Sequence, residues 1–101
     1  MKVITDKIIS DTIISEDTQL HGMIIGRITV VEGVIFHLHG MVIGDLMLRE
    51  KATVYLHGMV NGNVINKGGY LEVFGCINGR LVRESGETIV DTQAIVREGL
   101  S

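Results

Sequence analysis

The sequence predicts an all-β chain wound as a single-stranded parallel β-helix, triangular in section, with about five coils and a coil period of 17–18. Three observations predict it. The octapeptide His-Gly-Met-Ile-Ile-Gly-Arg-Ile at 21–28 returns as His-Gly-Met-Val-Ile-Gly-Asp-Leu at 39–46 and His-Gly-Met-Val-Asn-Gly-Asn-Val at 57–64. A worn copy, Phe-Gly-Cys-Ile-Asn-Gly-Arg-Leu, follows at 74–81, so the starts at 21, 39, 57 and 74 step by 18, 18 and 17. A repeat this short is one coil of a solenoid, which buries its apolar side only by stacking on its neighbours. Within each copy, apolar and polar residues alternate with period two, the mark of a strand with one inward face. The composition agrees: 46% is hydrophobic, yet there are two Tyr, two Phe and no Trp, so small aliphatics must fill a narrow interior. Thirteen Gly and no Pro leave every backbone N–H free for a continuous ladder.

The single domain spans 1–101. Residues 1–20 read as an N-terminal cap coil: no Gly, and a set of acids in Asp6, Asp11, Glu16 and Asp17. The regular coils cover 21–81. In the second, Ile28 and Val30 precede a break at Glu32-Gly33, after which Val34, Phe36 and Leu38 point inward. In the third, Leu38, Val42, Leu46 and Leu48 alternate with His39, Met41, Ile43 and Met47. After the turn-like Arg49-Glu50-Lys51, Ala52, Val54 and Leu56 resume the inward phase. The fourth repeats this with Val64, a break at Asn66-Lys67-Gly68, then Leu71 and Val73. Residues 82–101 form a C-terminal coil and cap that loses the Gly pair. Polar, charged terminal coils guard open edges against further pairing, so the ends are expected to be closed.

Paired glycines, Gly22 and Gly26, Gly40 and Gly44, Gly58 and Gly62, Gly75 and Gly79, fall at inward-phase positions and are assigned as structural turns. A tight corner excludes side chains and demands unusual dihedrals. A phosphate cradle is rejected because these glycines open no helix and no Lys follows them. A hexapeptide frame, as in left-handed β-helices, is also tested. Ile24, Val30, Phe36, Val42, Leu48, Val54 and Val60 fit its spacing. The residues that follow them, including Ile25, Val31, Ile43 and Tyr55, are too bulky for the corners of that frame, and the shorter step from 57 to 74 breaks it.

Gly-Met-Val-Ile-Gly-Asp-Leu at 40–46, Gly-Met-Val-Asn-Gly-Asn-Val at 58–64 and Gly-Cys-Ile-Asn-Gly-Arg-Leu at 75–81 share a Gly-x-aliphatic-x-Gly-polar-aliphatic rhythm. In this the chain, over roughly residues 20–90, resembles the bactofilins, polymer-forming cytoskeletal proteins of bacteria. The resemblance implies a right-handed triangular β-helix without enzymatic activity. The chain departs from that family in its few coils and its lack of Pro-rich tails.

Outward columns carry the one feature that core packing does not require. His21, His39, His57 and Phe74 fall in one column; Met23, Met41, Met59 and Cys76 in a second; Ile25, Ile43, Asn61 and Asn78 in a third. Rungs about 4.8 Å apart make these a wall, and an exposed apolar wall marks an interface. The expected interface residues are His21, Met23, Ile25, His39, Met41, Ile43, His57, Met59, Phe74 and Cys76. His37-x-His39 and the His column invite a reading as Zn²⁺ or Cu²⁺ ligands near Met23 and Met41. Repetition alone explains the column, and no carboxylate recurs beside it as an orienting partner. No metal, cofactor or catalytic residue is therefore expected. Asn61 and Asn78 are expected to stack as an amide pair. Glu16, Asp17, Glu32, Glu50 and Glu84 are expected to be solvated turn charges.

The net charge of −3 disfavours nucleic acid. No apolar run reaches a membrane span, and Asp6-Lys7 interrupts any signal-like stretch. The lone Cys76 suits a reducing, cytoplasmic setting. The functional expectation is a non-catalytic, bactofilin-like scaffold or interaction solenoid that self-associates through the wall into a finite homo-oligomer. An immunity-type protein neutralising a bacterial toxin is the alternative, and a left-handed β-helix transferase ranks last.

Overall fold

The computed structural model describes residues 1–101 and holds no helix: short parallel strands wind into a β-solenoid of about five turns. The first coil contributes β1 (Lys2–Ile4), β2 (Lys7–Ile9) and β3 (Thr12–Ile14); the second, β4 (Thr18–Leu20), β5 (Met23–Ile25) and β6 (Ile28–Val30). The third holds β7 (Ile35–Leu38), β8 (Met41–Ile43) and β9 (Leu46–Leu48). Then come β10 (Thr53–Leu56), β11 (Met59–Asn61), β12 (Val64–Val73), β13 (Cys76–Ile77), β14 (Leu81–Val90) and β15 (Ile95–Val96). Strands β2, β5, β8, β11, β13 and β15 stack as one six-stranded sheet, the second face of the triangle. The other two faces are joined into one sheet because β12 and β14 run around the third corner.

Successive coils stay in register along one column, which climbs from Lys7 through Met23, Met41, Met59 and Cys76 to Ile95. Its first step, Lys7 to Met23, is shorter than the expected period, and its last, Cys76 to Ile95, is longer. The terminal coils thus fall outside the regular repeat. Within the third coil and into the fourth, strands start at Ile35, Met41, Leu46 and Thr53, so no two consecutive advances are equal. The three sides are unequal, which is why a hexapeptide frame does not describe the chain. Both glycines of each pair are corners, so the chain changes face at each of them.

Those glycines are required by stacking along the axis more than by crowding inside the coil. A Cβ on Gly40 would overlap the carbonyl oxygen of Gly22, and one on Gly58 that of Gly40. Gly26 and Gly44 also hold φ of 151° and 143°, where a side chain is strained. The third corner is built differently. Lys51 there has φ 62°, the one non-glycine residue with positive φ, in line with Gly33 at 77° one coil below.

The inward phase is as expected: Leu38, Val42, Leu46, Val54, Leu56, Val60 and Leu71 are all fully buried. The core is a stack of aliphatic layers around one aromatic, Phe36. Where the fourth step loses a residue, no break occurs at Asn66-Lys67-Gly68. Strand β12 continues through it, with register shifts on either side of Lys67. Asn66, fully buried, makes this possible. Its Nδ2 donates to Gly69 O, Glu87 O and Thr88 Oγ1 at 3.2, 3.1 and 3.0 Å. Its Oδ1 accepts from the Gly68 and Gly69 N–H groups at 3.1 and 2.8 Å.

The terminal coils pair with their neighbours as further rungs of the solenoid, and two of the expected guard acids are used for fastening. The carboxylate of Asp11 accepts from the Arg27 N–H at 2.8 Å, and that of Asp17 from the Ile35 N–H at 2.9 Å. Asp17 is therefore not a free solvated charge. What blunts the first rung is Lys2, which pairs with buried Thr18 and so stands at an inward-phase position.

Two outcomes test this account. Val54→Asp should abolish the β signal in far-UV circular dichroism while Tyr55→Asp keeps it, because a slip of one position crosses from core to surface. Asn66→Leu strands the Gly68 and Gly69 donors and should cost about 3 kcal/mol, read from the urea midpoint.

Candidate functional site

The second face presents two parallel columns to solvent. Met23, Met41, Met59 and Cys76 pair in register across β5, β8, β11 and β13 and are all half-buried. Beside them, Ile25 and Ile43 pair with Asn61 above, and Ile9 below is 72% exposed. The face is therefore graded along the solenoid axis. The outer column is apolar through Ile9, Ile25 and Ile43 and polar from Asn61 onward, while the column beside it opens on exposed Lys7 and closes on exposed Ile95.

The polar end is organised around Asn78. Its Oδ1 accepts from Arg97 Nε at 2.7 Å and from Cys76 Sγ at 3.4 Å. This replaces the expected Asn61–Asn78 stack, since the Arg97 and Cys76 donors already engage the amide oxygen. Cys76 has Asn78, not His57, as its polar neighbour.

The His column does not share that flat face. Each of these His residues directly precedes a corner glycine, Gly22, Gly40 or Gly58, so the rings sit on the solenoid's edge, where the chain turns from one sheet into the other. The expected continuous wall is in fact two surfaces meeting at that edge. There the rings form a ladder: His21 on His39 at 4.8 Å, His39 on His57 at 4.9 Å, His57 on Phe74 at 4.8 Å, with planes within 7°. The repeat period puts them in one column, and the strand spacing leaves room for a ring to lie flat on its neighbour. His21 Nε2 lies 3.1 Å from Gln19 Oε1.

A second ring row, missed from the sequence, runs along the first face: His37 stacks on Tyr55 at 5.0 Å, and Tyr55 meets Tyr70 edge-on at 6.3 Å. The full-period spacing of His37 and Tyr55 was the available signal. The Tyr70 hydroxyl donates to Glu72, which pushes its pKa up to about 12. All four His and both Tyr of the chain thus gather on one face and its edge. Flat stacking hides the ring faces and presents ring edges to solvent.

No group of three or more His, Cys, Asp or Glu side chains is placed to hold a metal ion. The one surface cleft, about 350 Å³ and wide open, is lined by Met47, Arg49, Glu50 and Lys67 and shows no nucleophile–base pair. No helix is long and apolar enough to cross a membrane.

His39 titrates below its ordinary 6.5, first through desolvation between its neighbours, then through the charges of His57, His21 and His37. The unfolded chain then takes up this proton before the folded one, so the stability is complete above 6.5 and is lost as pH falls below it. The melting temperature should be lower at about pH 5.5 than at about pH 7.5, and His39→Gln should narrow that gap.

No family model, curated protein or solved structure matches the chain.

Proposed function

We propose that the protein is a non-catalytic, self-associating β-solenoid, a scaffold of bactofilin-like design working in a reducing cytoplasm, whose second face docks a second copy of the same chain. The observation that carries this reading is the half-buried apolar part of a six-stranded sheet, centred on Met23, Ile25, Met41 and Ile43, with Ile9 beside it 72% exposed. Two-fold symmetry decides the arrangement. With the axis along the solenoid, each rung meets its own counterpart, so Met23 faces Ile25 and Met41 faces Ile43 of the other copy. With the axis across it, Ile25 and Ile43 would meet the Asn78 and Asn61 rungs and desolvate amides. Either two-fold arrangement is isologous, but the first sets apolar rungs on apolar rungs at the centre and leaves Lys7 and the Asn rungs toward the margins.

Six rungs at about 4.8 Å and a face five residues wide from corner to corner, as from Gly22 to Gly26, give a flat footprint on the order of 400 Å², below the roughly 800 Å² per partner of a standard interface. The dimer is accordingly a weak, concentration-dependent one. Growth along the axis is opposed, because stacking another rung on the first coil would bury Lys2, and an unpaired buried ammonium is costly. This favours a finite assembly over a fibre.

Sedimentation of the wild-type chain over a wide concentration range should show a monomer–dimer equilibrium. Ile25→Glu/Ile43→Glu should leave a folded monomer, since both side chains point away from the core. A wild-type chain that stays monomeric at its highest concentration, or a double variant that still dimerises, would overturn the reading. The monomeric result would leave the face to a partner of different sequence, such as a toxin.

A further inference from the structure

We propose that the sulfur column of the second face, Met41, Met59 and Cys76, binds a soft monovalent d¹⁰ metal ion of the copper(I) class. The site goes beyond self-association and shares only Met41 with the docking half of the face. These side chains occupy successive rungs in register, Met41 against Met59 and Met59 against Cys76, and all are partly open to solvent.

The column keeps sulfur where its neighbours drift. Across the four copies the ring ladder changes from His to Phe74 and the aliphatic column from Ile to Asn61 and Asn78, whereas this position reads Met23, Met41, Met59 and Cys76. Cys is far shorter than Met, so neither bulk nor apolar area is what the fourth copy retains. A Leu or Ile would serve those better, as Ile95 does one rung later. The retained property is a polarizable sulfur donor.

The spacing fits two-coordinate chemistry. Equivalent atoms on adjacent rungs lie about 4.8 Å apart, as the ring ladder beside them shows at 4.8 and 4.9 Å. Two metal–sulfur bonds of about 2.3 Å in line span about 4.6 Å. The Met41 and Met59 sulfurs are equivalent atoms and share this spacing, while the shorter Cys76 is reached by rotation of Met59, whose three torsions bring its sulfur into line for a two-coordinate site. Thioether and thiolate donors select soft ions such as copper(I) over Zn²⁺ or Mg²⁺. No carboxylate stands in the column to serve a hard cation.

Cys76 is the anionic ligand. On binding, the sulfur–hydrogen bond gives way to a sulfur–metal bond, and one proton passes to solvent for each ion bound. The ion enters and stays monovalent, so no electron is transferred. The Cys76 thiol already points at Asn78 Oδ1, 3.4 Å away, and the Arg97 guanidinium shares that oxygen at 2.7 Å. Releasing the thiol from Asn78 leaves the amide held by Arg97, with a cation beside the new thiolate.

The test is an anaerobic titration of the reduced chain with copper(I) against the chromophoric chelator bicinchoninate, with silver(I) as a redox-inert repeat. The wild type should withdraw about one ion per chain, releasing one proton. Met41→Leu/Met59→Leu, a volume-conserving change on the surface, should weaken binding about tenfold or more, and Cys76→Ser more still. Failure to compete with bicinchoninate would overturn the site. So would undiminished affinity in Met41→Leu/Met59→Leu, which would reduce the column to one reactive thiol. Far-UV circular dichroism of each variant checks that the fold is intact. The Ile25→Glu/Ile43→Glu chain keeps every sulfur and should bind as the wild type does. Loss of dimers with retained uptake, or the reverse, separates failure of the interface from failure of the site.

Discussion

The constraint on which the rest depends is axial: each coil must lie on the one beneath at strand spacing around all three sides at once. At the two glycine corners the backbones approach so closely that a Cβ on Gly40 or Gly44 would overlap the carbonyl of Gly22 or Gly26. Between corners, spacing is set by the parallel ladder itself. A side chain at a corner would open the gap there and tilt the coil, and tilt would cost hydrogen bonds on the other two sides. The glycine pairs therefore fix the register, and the register fixes every column, inside and out.

The third corner tolerates variation because it is pinned in this way only in the later coils: a Cβ on Gly33 would meet nothing, whereas one on Gly69 or Gly86 would overlap the carbonyl oxygen of Ala52 or Gly69. Coil lengths differ there and at the ends: the fourth step drops a residue between Lys51 and Gly68, and Asn66 absorbs the change by bonding Gly68, Gly69 and the coil above. A buried amide with every donor and acceptor satisfied substitutes for a turn. Its burial is tolerable because none of its polar capacity is wasted. Asp11, Asp17, Asp45 and Asn63 perform a related task at the surface, each accepting a backbone N–H from the next coil at 2.8–2.9 Å.

Legibility followed the same division. Inward and outward phase was readable at Val54, Leu56 and Val60 because period-two alternation and the coil repeat reinforce each other there. The columns were readable for the same reason. What could not be read was anything depending on where the chain turns out of plane. His39 and Met41 differ by two positions, and strand logic puts them side by side. Only the corner at Gly40 separates them onto an edge and a face. The tasks of Asp17 and Asn78 were hidden likewise, because each joins a residue a full coil away, Ile35 and Arg97, through geometry that repeats do not announce.

A solenoid converts one residue choice into a linear array, and the arrays on this protein carry different chemistry because outward positions answer to little but their neighbours above and below. The ring ladder hides its faces and offers nitrogen edges, so protonating His39 is opposed first by desolvation between its neighbours and then by the charges of His57, His21 and His37. The sulfur column has no such repulsion and keeps freely rotating donors at even spacing. The aliphatic column changes to amide between Ile43 and Asn61 without disturbing the buried Val42 and Val60 beside it. A single outward substitution thus divides one column of the face into an apolar half and a polar half, while the sulfur column beside it runs across the boundary unchanged. The core does not change across that boundary, so a rigid scaffold can carry both surfaces at no expense to its fold.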